Sequence, residues 1–215
     1  ELGRGAQSVV YLGFDPQLQR EVAIKTLHFA QPDPAKNQAL LAEARAVGRM
    51  RHPNIVPIYE AGEEGGDPYL VFEYVPGKNL AEFFRQSGAL PPVKAVTTLR
   101  AILDAVAHAH AQGIIHRDIK PANIMVAADD EAKIADFGLA LNMNKDLDRD
   151  STFIMGVGSP AYMSPEQIKN YPLNHKTDLY SLAVVLFQLL TGRLPFRASN
   201  AATLIYKIVN ADAPA

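Results

Sequence analysis

The sequence predicts an α+β protein with two lobes, of which the first is rich in strands and the second is mainly helical. Residues 1–75 contain alternating, β-branched segments separated by turn signals, together with one Ala/Leu-rich segment of helical period at residues 35–50. In the remainder, three helical segments end at or before a glycine. Because strands precede helices rather than alternate with them, a segregated arrangement is favoured over one parallel sheet. The Pro-Gly pair at positions 76 and 77 suits a hinge, so we predict lobes of residues 1–75 and 76–215 within one domain.

The second lobe also contains three short apolar segments that we predict to be strands. They cover residues 114–116, 124–127 and 132–136 and lie between long helical segments. The apolar run at residues 179–190 is shorter than the ~20 residues that a membrane helix needs, so we interpret it as a buried core helix.

Composition excludes several classes of function. The formal net charge of -2 gives no overall basic surface for nucleic acid. The chain has no cysteine, which rules out disulfides, thiolate catalysis and cysteine-based zinc sites. No signal peptide opens the chain, and because Glu1 is not a natural start, we expect a fragment of a longer protein.

A glycine-rich loop opens the sequence. Gly3, Gly5 and Ser8 follow the spacing G-x-G-x-x-S between two predicted strands. Glycines let a backbone approach phosphate groups closely and donate N–H groups to them. Taken alone, the pattern favours an ordinary hairpin turn. A dinucleotide-binding loop would be followed by a helix, whereas here a strand follows.

Two charged residues of the first lobe are candidates for a phosphate site. Lys25 ends the run V-A-I-K on a predicted strand, and Glu43 lies on the helix that follows. Each alone is typical of a solvated surface. As a pair they can form an ion pair that aims the lysine at nucleotide phosphates.

The segment I-I-H-R-D-I-K-P-A-N-I-M-V, residues 114–126, is the most specific motif in the chain. Asp118 can accept a proton from an attacking hydroxyl, and Lys120 lies close enough in sequence to steady a transferring phosphoryl group. The amide oxygen of Asn123 can bind a hard cation. A polar loop without function would not need these residues at this spacing between apolar segments.

The run I-A-D-F-G-L-A supplies a second candidate cation ligand. Asp136 follows a short predicted strand, Phe137 is expected to pack, and Gly138 permits unusual backbone angles. A D-F-G triplet alone occurs by chance. Its position after H-R-D-x-x-x-x-N makes chance a poor explanation.

In this order the motifs resemble those of the eukaryotic-type protein kinase family, and the phrasing is closest to bacterial receptor-like Ser/Thr kinases. The resemblance extends from Glu1 to about the chain end. It implies the bilobal kinase fold, with the last helices of the second lobe missing. Departures are Ser8 in place of the third glycine and Ser164-Pro165-Glu166 in place of A-P-E. The arginine that normally pairs with Glu166 is not expected in this chain.

The resemblance also implies the cofactors and the residues that bind them. ATP and Mg²⁺ are expected, with Mn²⁺ as an alternative metal. Lys25 should contact the phosphates and pair with Glu43, whereas Asn123 and Asp136 should hold the metal. The expected nucleotide-binding residues are Gly3, Arg4, Gly5, Ser8, Val10, Ala23, Lys25, Phe72, Glu73, Tyr74, Val75, Met125 and Asp136. The expected catalytic residues are Asp118, Lys120, Lys25 and Glu43.

Regulation is implied on the same basis. Arg117 precedes the catalytic Asp118, and in the family such an arginine often receives a phosphate from the activation segment, here residues 136–166. Ser151 and Thr152 are the expected phosphorylation sites, although each singly is equally typical of an exposed loop hydroxyl. Ser159 is expected to be structural and to position substrate.

Packing expectations follow as well. The residues Val47, Ile58, His116 and Phe137 are expected to form an apolar stack between the lobes, with Asp178 tethering it. His108 and His110 are two residues apart on a predicted helix, so they do not share a face for a metal.

The expected function is an ATP-dependent protein Ser/Thr kinase that autophosphorylates on its activation segment. A pseudokinase scaffold is the alternative, favoured only by Ser8 and by the truncation. A small-molecule phosphotransferase is disfavoured by Lys120 and by the G-S-P-A-Y-M-S-P-E segment. The expected partners are proteins with Ser or Thr, phospho-dependent reader domains and a transient homodimer, without nucleic acid. The expected location is cytoplasmic, for a free kinase or for the cytoplasmic domain of a membrane-anchored one.

Overall fold

The structure is a computed structural model that describes residues 1–5, 7–29, 33–127, 131–137 and 160–214. Its first part is an antiparallel sheet of five strands: β1 (Gly3–Arg4), β2 (Ser8–Asp15), β3 (Arg20–Leu27), β4 (Ile58–Glu64) and β5 (Asp67–Glu73). Their order across the sheet is β1-β2-β3-β5-β4, so β3 lies at its centre. Asp15 fixes the turn after β2, because its side chain accepts hydrogen bonds from the N–H groups of Gln17 and Leu18.

One helix, α1 (Pro34–Val47), packs against this sheet at β4 and β5. Asp33 caps its start by accepting hydrogen bonds from the N–H groups of Ala35 and Lys36, and a proline occupies the first helical position. Gly48 closes the other end, since its N–H donates to the carbonyl of Ala44. The helix therefore ends three residues before the predicted boundary. Its buried apolar residues are Leu40, Leu41, Ala44 and Val47.

The second part combines a small sheet with several helices. The strands β6 (Gly77–Asn79), β7 (Ile124–Ala127) and β8 (Ala132–Ile134) pair in the order β6-β7-β8. The helices are α2 (Leu80–Ser87), α3 (Pro92–Ala111), α4 (Pro165–Ile168), α5 (His175–Thr191) and α6 (Ala201–Asn210). A 3-10 turn, Pro121–Asn123, precedes β7.

The predicted strand at residues 114–116 is wrong. These residues form no ladder, and the N–H groups of His116 and Arg117 instead donate to the carboxylate of Asp178 on α5, at 2.8 Å each. A buried side chain thus replaces the neighbouring strand as hydrogen-bond partner. The predicted strands at residues 124–127 and 132–136 correspond to β7 and β8.

The core of the second part lies between α3 and α5, which pack against each other. Each helix presents apolar residues at helical spacing, namely Ala95, Leu99, Ile102, Val106 and Ala109 of α3 with Leu182, Val185 and Leu189 of α5. The interpretation of residues 179–190 as a buried helix is confirmed. Within the described ranges, no helix has the length and apolar character needed to cross a membrane.

One hydrophobic cluster joins the two parts, from Leu27 and Leu40 to Leu189. Backbone hydrogen bonds add to this connection: the N–H of Val56 donates to Ile134 of β8, and the N–H of Ile134 donates to Asn54, each at 2.9 Å. The predicted fold class, α+β with a strand-rich part before a helical part, is confirmed.

Candidate active site

A cleft of about 940 Å³ lies between the first sheet and the segment that carries Asp118. Every residue predicted to bind nucleotide lines this cleft, and so do Arg117, Asp118, Lys120 and Asn123. Residues that are more than a hundred positions apart in sequence therefore face one space. The volume lies within the range of small-molecule and cofactor sites.

The glycine-rich loop forms one edge of the cleft. β1 pairs with β2 so that Gly3 lies opposite Val10, and the N–H of Gly5 donates to the carbonyl of Ser8 at 2.8 Å. A Cβ added to Gly5 would lie 3.2 Å from Ser8 Oγ, which is closer than ordinary packing. A side chain at position 5 would therefore require Ser8 Oγ to move by a few tenths of an ångström.

Lys25 reaches the cleft from the centre of the sheet. Its Nζ donates to Asp136 Oδ2 at 2.7 Å, and both side chains are largely withdrawn from solvent. Burial alone would raise the pKa of Asp136, but the adjacent Lys25 ammonium outweighs it, so the pKa lies below its usual value. Asp136 is therefore a carboxylate at neutral pH.

The expected ion pair between Lys25 and Glu43 is wrong for this structure. Glu43 Oε1 instead accepts a hydrogen bond from Arg117 Nη1 at 3.1 Å, and Lys25 has Asp136 as its partner. The structure thus pairs Lys25 with Asp136 and Arg117 with Glu43, instead of Lys25 with Glu43. Glu43 remains on α1 next to the cleft and contacts the segment before Asp118.

The polar residues around Asp118 hold one another in place. Lys120 Nζ lies 2.6 Å from Asp118 Oδ2, and Asn123 Nδ2 donates to the carbonyl and to Oδ2 of Asp118 at 2.8 and 3.1 Å. The Asp118 side chain is 38% exposed and opens onto the cleft. The carboxylate is therefore accessible while its orientation is fixed.

His116 is a packed residue. It is fully buried, its ring centroid lies 4.5 Å from that of Phe137, and Phe137 shares its hydrophobic cluster with Val47 and Ile58. Nε2 lies 2.9 Å from the carbonyl of Ala135, and Nδ1 accepts a hydrogen bond from the N–H of Asp118. The ring proton thus sits on Nε2. The contact between His116 and Phe137 agrees with the predicted apolar stack, and the continuation of the stack to Val47 and Ile58 stays a prediction.

Asp178 anchors this segment to α5, as the sequence predicted. In addition to the two backbone N–H groups described above, its carboxylate lies 2.7 Å from His110 Nε2 on α3. Sequence reasoning gave His110 no such role, because nothing in the local pattern shows that a helical histidine meets a carboxylate 68 positions later.

The oxygen ligands expected for Mg²⁺ fit the arrangement. Asn123 donates through Nδ2, which leaves its amide oxygen for a cation, and Asp136 supplies a carboxylate that also lines the cleft. Such hard oxygen atoms are the donors that Mg²⁺ prefers.

Two residues of the second part line the cleft although the sequence did not predict them there. These residues are Met163 and Gln167. Glu166, for which an arginine partner was not expected, accepts a hydrogen bond from Thr177 Oγ1 at 2.8 Å. The predictions for Gly138, Ser151, Thr152 and Ser159 lie outside the residues that the structure describes.

Comparison with known proteins identifies the class. Residues 1–213 match the family described as "Protein kinase domain", and the chain belongs to this family. It is 40% identical to the serine/threonine-protein kinase PrkC of Bacillus subtilis, over 99% of this chain and 33% of that protein. It is 36% identical to the serine/threonine-protein kinase PknL of Mycobacterium tuberculosis (100% of this chain, 53% of that protein). It is 39% identical to the probable serine/threonine-protein kinase PknB of Bifidobacterium longum (97% and 32%). The chain thus spans between about a third and a half of the length of these relatives.

Proposed function

We propose that this chain is the catalytic domain of an ATP-dependent protein serine/threonine kinase that autophosphorylates within residues 136–166. The observation that carries the proposal is the convergence of Lys25, Asp118, Lys120, Asn123 and Asp136 on one cleft. Phosphoryl transfer needs charge neutralisation and positioning more than covalent chemistry, and these groups supply both. Relatives named serine/threonine-protein kinases support the substrate class.

The nucleotide base would lie between the sheet and β7. Val10 and Ala23 line the cleft on one side and Met125 on the other. The N–H of Glu73 already donates to the carbonyl of Pro57, and its side chain pairs with Lys133. The backbone carbonyl of Glu73 and the backbone groups of Val75 are therefore the hinge atoms that we assign to the adenine edge.

The remaining residues divide the work of transfer. Asp118 orients the substrate hydroxyl and accepts its proton, and Lys120 stabilises negative charge on the transferring phosphoryl group. Lys25 binds the phosphates of the nucleotide. Asn123 and Asp136 hold Mg²⁺, which neutralises phosphate charge when bound. Mn²⁺ has the same ligand requirements.

Regulation would act through Arg117. A phosphate on Ser151 or Thr152 offers this guanidinium a stronger partner than the Glu43 carboxylate. Once Arg117 binds that phosphate, its contact with Glu43 would be released. Glu43 could then form an ion pair with Lys25, which is the pairing expected for an active kinase. Ser159 is assigned to substrate positioning.

The proposed partners and division of the chain follow from the same function. We infer protein substrates with accessible Ser or Thr, reader domains that recognise the phosphorylated product, and transient association of two copies during autophosphorylation. Residues 1–75 and 76–215 would act as the two lobes of one domain. A cytoplasmic location, free or as part of a membrane-anchored kinase, fits a need for ATP.

The test is transfer of labelled phosphate from Mg-ATP to the chain and to a basic protein. Asp118→Asn and Lys25→Met should each lower kcat by about 10²- to 10⁴-fold, because each removes a group that acts on the reacting atoms. Lys176→Met, at an exposed lysine, serves as the matched control and should retain the rate.

A second measurement separates the pseudokinase alternative. Binding of a fluorescent ATP analogue should accompany transfer in the wild type. Binding without any transfer would favour the scaffold, and equal labelling of wild type and Asp118→Asn would exclude the assigned proton acceptor.

A further inference from the structure

Gln167 connects the short helix α4 to the segment that carries Asp118. The side chain lines the same cleft as Arg117 and Asp118, although it lies 50 positions beyond Arg117 in sequence. Its two ends have different partners, and each end can be removed separately.

The amide oxygen of Gln167 acts locally. It accepts a hydrogen bond from the N–H of Ser164 at 3.0 Å, while Ser164 Oγ accepts one from the N–H of Gln167 at 3.3 Å. Together these two bonds form a capping box at the start of α4. The amide oxygen therefore stabilises the start of α4 and has no contact with the described residues of the cleft in this role.

The amide nitrogen of Gln167 acts at a distance. Nε2 donates to the backbone carbonyl of Arg117 at 2.7 Å, a short bond between partly buried groups. Arg117 has a φ of 69°, a left-handed conformation that side-chain-bearing residues adopt at a cost in energy. Such a backbone persists only when its neighbours hold it.

Arg117 is held on both sides of its Cα atom. Its N–H donates to Asp178 and its carbonyl accepts from Gln167. That carbonyl belongs to the peptide unit that leads into Asp118, whose N–H donates to His116 Nδ1. The hydrogen bond from Gln167 therefore fixes the orientation of the peptide plane between Arg117 and Asp118. This plane sets the direction of the Asp118 side chain.

We propose that Gln167 is a positioning residue for Asp118, acting through the carbonyl of Arg117. This inference rests on the proposed kinase function for its effect on turnover, whereas the bridge itself is independent of it. Since α4 begins within the predicted activation segment of residues 136–166, the bridge also couples the end of that segment to the catalytic aspartate.

Three variants separate the two ends of the side chain. Gln167→Glu keeps an oxygen for the N–H of Ser164 and removes the donor to Arg117. Gln167→Met is neutral and removes both. Ser164→Ala removes the other half of the capping box and leaves the bridge to Arg117 intact.

The kinetic expectation follows from the loss of one hydrogen bond that acts on the catalytic carboxylate. Gln167→Glu and Gln167→Met should lower kcat by about 10-fold, with KM for ATP changed by less than about twofold. Ser164→Ala should stay within about threefold of the wild type. The introduced carboxyl of Gln167→Glu regains a donor when protonated, so the ratio of its kcat to that of the wild type should rise from pH 7.5 to pH 5.5.

Hydrogen exchange tests the bridge without turnover. Amides of residues 114–123 should exchange faster in Gln167→Glu than in the wild type and in Ser164→Ala. If the wild type transfers no phosphate, the proposed function fails. Hydrogen exchange then tests by itself whether the hydrogen bond from Gln167 holds the segment around Arg117 in place. Unchanged exchange in Gln167→Glu overturns the positioning role, as does an equal fall of kcat in Ser164→Ala.

Discussion

Two residues at the centre of the cleft, Arg117 and Asp136, have φ angles of 69° and 64°. Left-handed backbone at a residue with a side chain costs on the order of 1–3 kcal/mol and persists only where surrounding contacts enforce it. Asp178 and Gln167 hold Arg117, and Lys25 holds the side chain of Asp136.

Among the described residues, Gln19 and Asn170 also have positive φ angles, of 51° and 53°, but both lie in turns and do not line the cleft. Arg117 and Asp136 are the two strained residues that line the cleft, where they flank the proposed site of transfer.

His52 shows how a single side chain makes stability depend on pH. Its Nδ1 accepts a hydrogen bond from the N–H of Asn54, and its ring centroid lies 5.2 Å from that of His108 on α3. Burial, followed by the proximity of His108, lowers the pKa of His52, and Asp104 opposes this only in part. The neutral ring is therefore the form that the fold favours.

The sign of the effect follows from linkage. Because the folded pKa of His52 is lower than the unfolded one, the unfolded chain takes up the proton first as the pH falls below about 6.5. His52 should therefore stabilise the fold fully above that pH and lose this contribution on acidification. In urea unfolding between pH 7 and pH 5, His52→Asn should show a weaker pH dependence, by less than about 1 kcal/mol for this partly exposed ring. Identical slopes for wild type and His52→Asn would contradict the assignment.

At the scale of single elements, helix starts are governed by short polar side chains. Asp33, Asn79, Asn174 and Asn200 cap α1, α2, α5 and α6, each accepting hydrogen bonds from the first turn. Apolar periodicity located α1, α2, α3 and α5 in the sequence, whereas α4 and α6 were not predicted. The strand expected at residues 114–116 was wrong because its partner is a side chain 61 and 62 positions away, which no local pattern shows.

The cap of α1 can be tested directly. Asp33→Ala removes the acceptor for two backbone N–H groups and should lower the free energy of unfolding by about 1 kcal/mol. Asp33→Asn keeps an oxygen acceptor and should lie close to the wild type. Urea unfolding of the three proteins measures the difference, and equal losses for both variants would show that charge, not the hydrogen bonds, supports the helix.

At the scale of the whole molecule, Asp178 joins α3, α5 and the segment before Asp118. Its side chain is 1% exposed and accepts from His110 and from two backbone N–H groups. Because these donors lie on separate elements, the carboxylate stabilises their arrangement rather than any one of them.

Asp178→Asn should therefore weaken the fold and turnover together. The amide presents N–H atoms to donors that need an acceptor, so the free energy of unfolding should fall by about 2–4 kcal/mol. The exposed Asp212 provides the matched change, Asp212→Asn, which should have little effect. Chemical denaturation and kcat are the measurements, and an Asp178→Asn protein as stable as the control would refute the anchoring role.

The residues that line the cleft were predictable from the sequence, whereas several contacts between side chains were not. The order of motifs predicted the lining of the cleft, because backbone pairing such as Val10 with Lys25 brings motif residues together in a fixed register. The contact of Glu43 with Arg117 could not be predicted, since the two residues are 74 positions apart and no local pattern relates them. The bridge from Gln167 depends on folding across 50 residues, so a local pattern gives no signal for it.

Arg117 meets a different helix with each of its polar groups: α1 through its guanidinium, α4 through its carbonyl and α5 through its N–H. Two of these contacts are made by backbone atoms, which survive most substitutions, and only one is made by the side chain. In genetic terms, position 117 has separable functions. If Arg117 has the proposed regulatory role, an Arg117→Ala allele should keep the loop geometry and lose the response to phosphate, whereas an allele at Gln167 or Asp178 should disturb the geometry and leave the arginine in place.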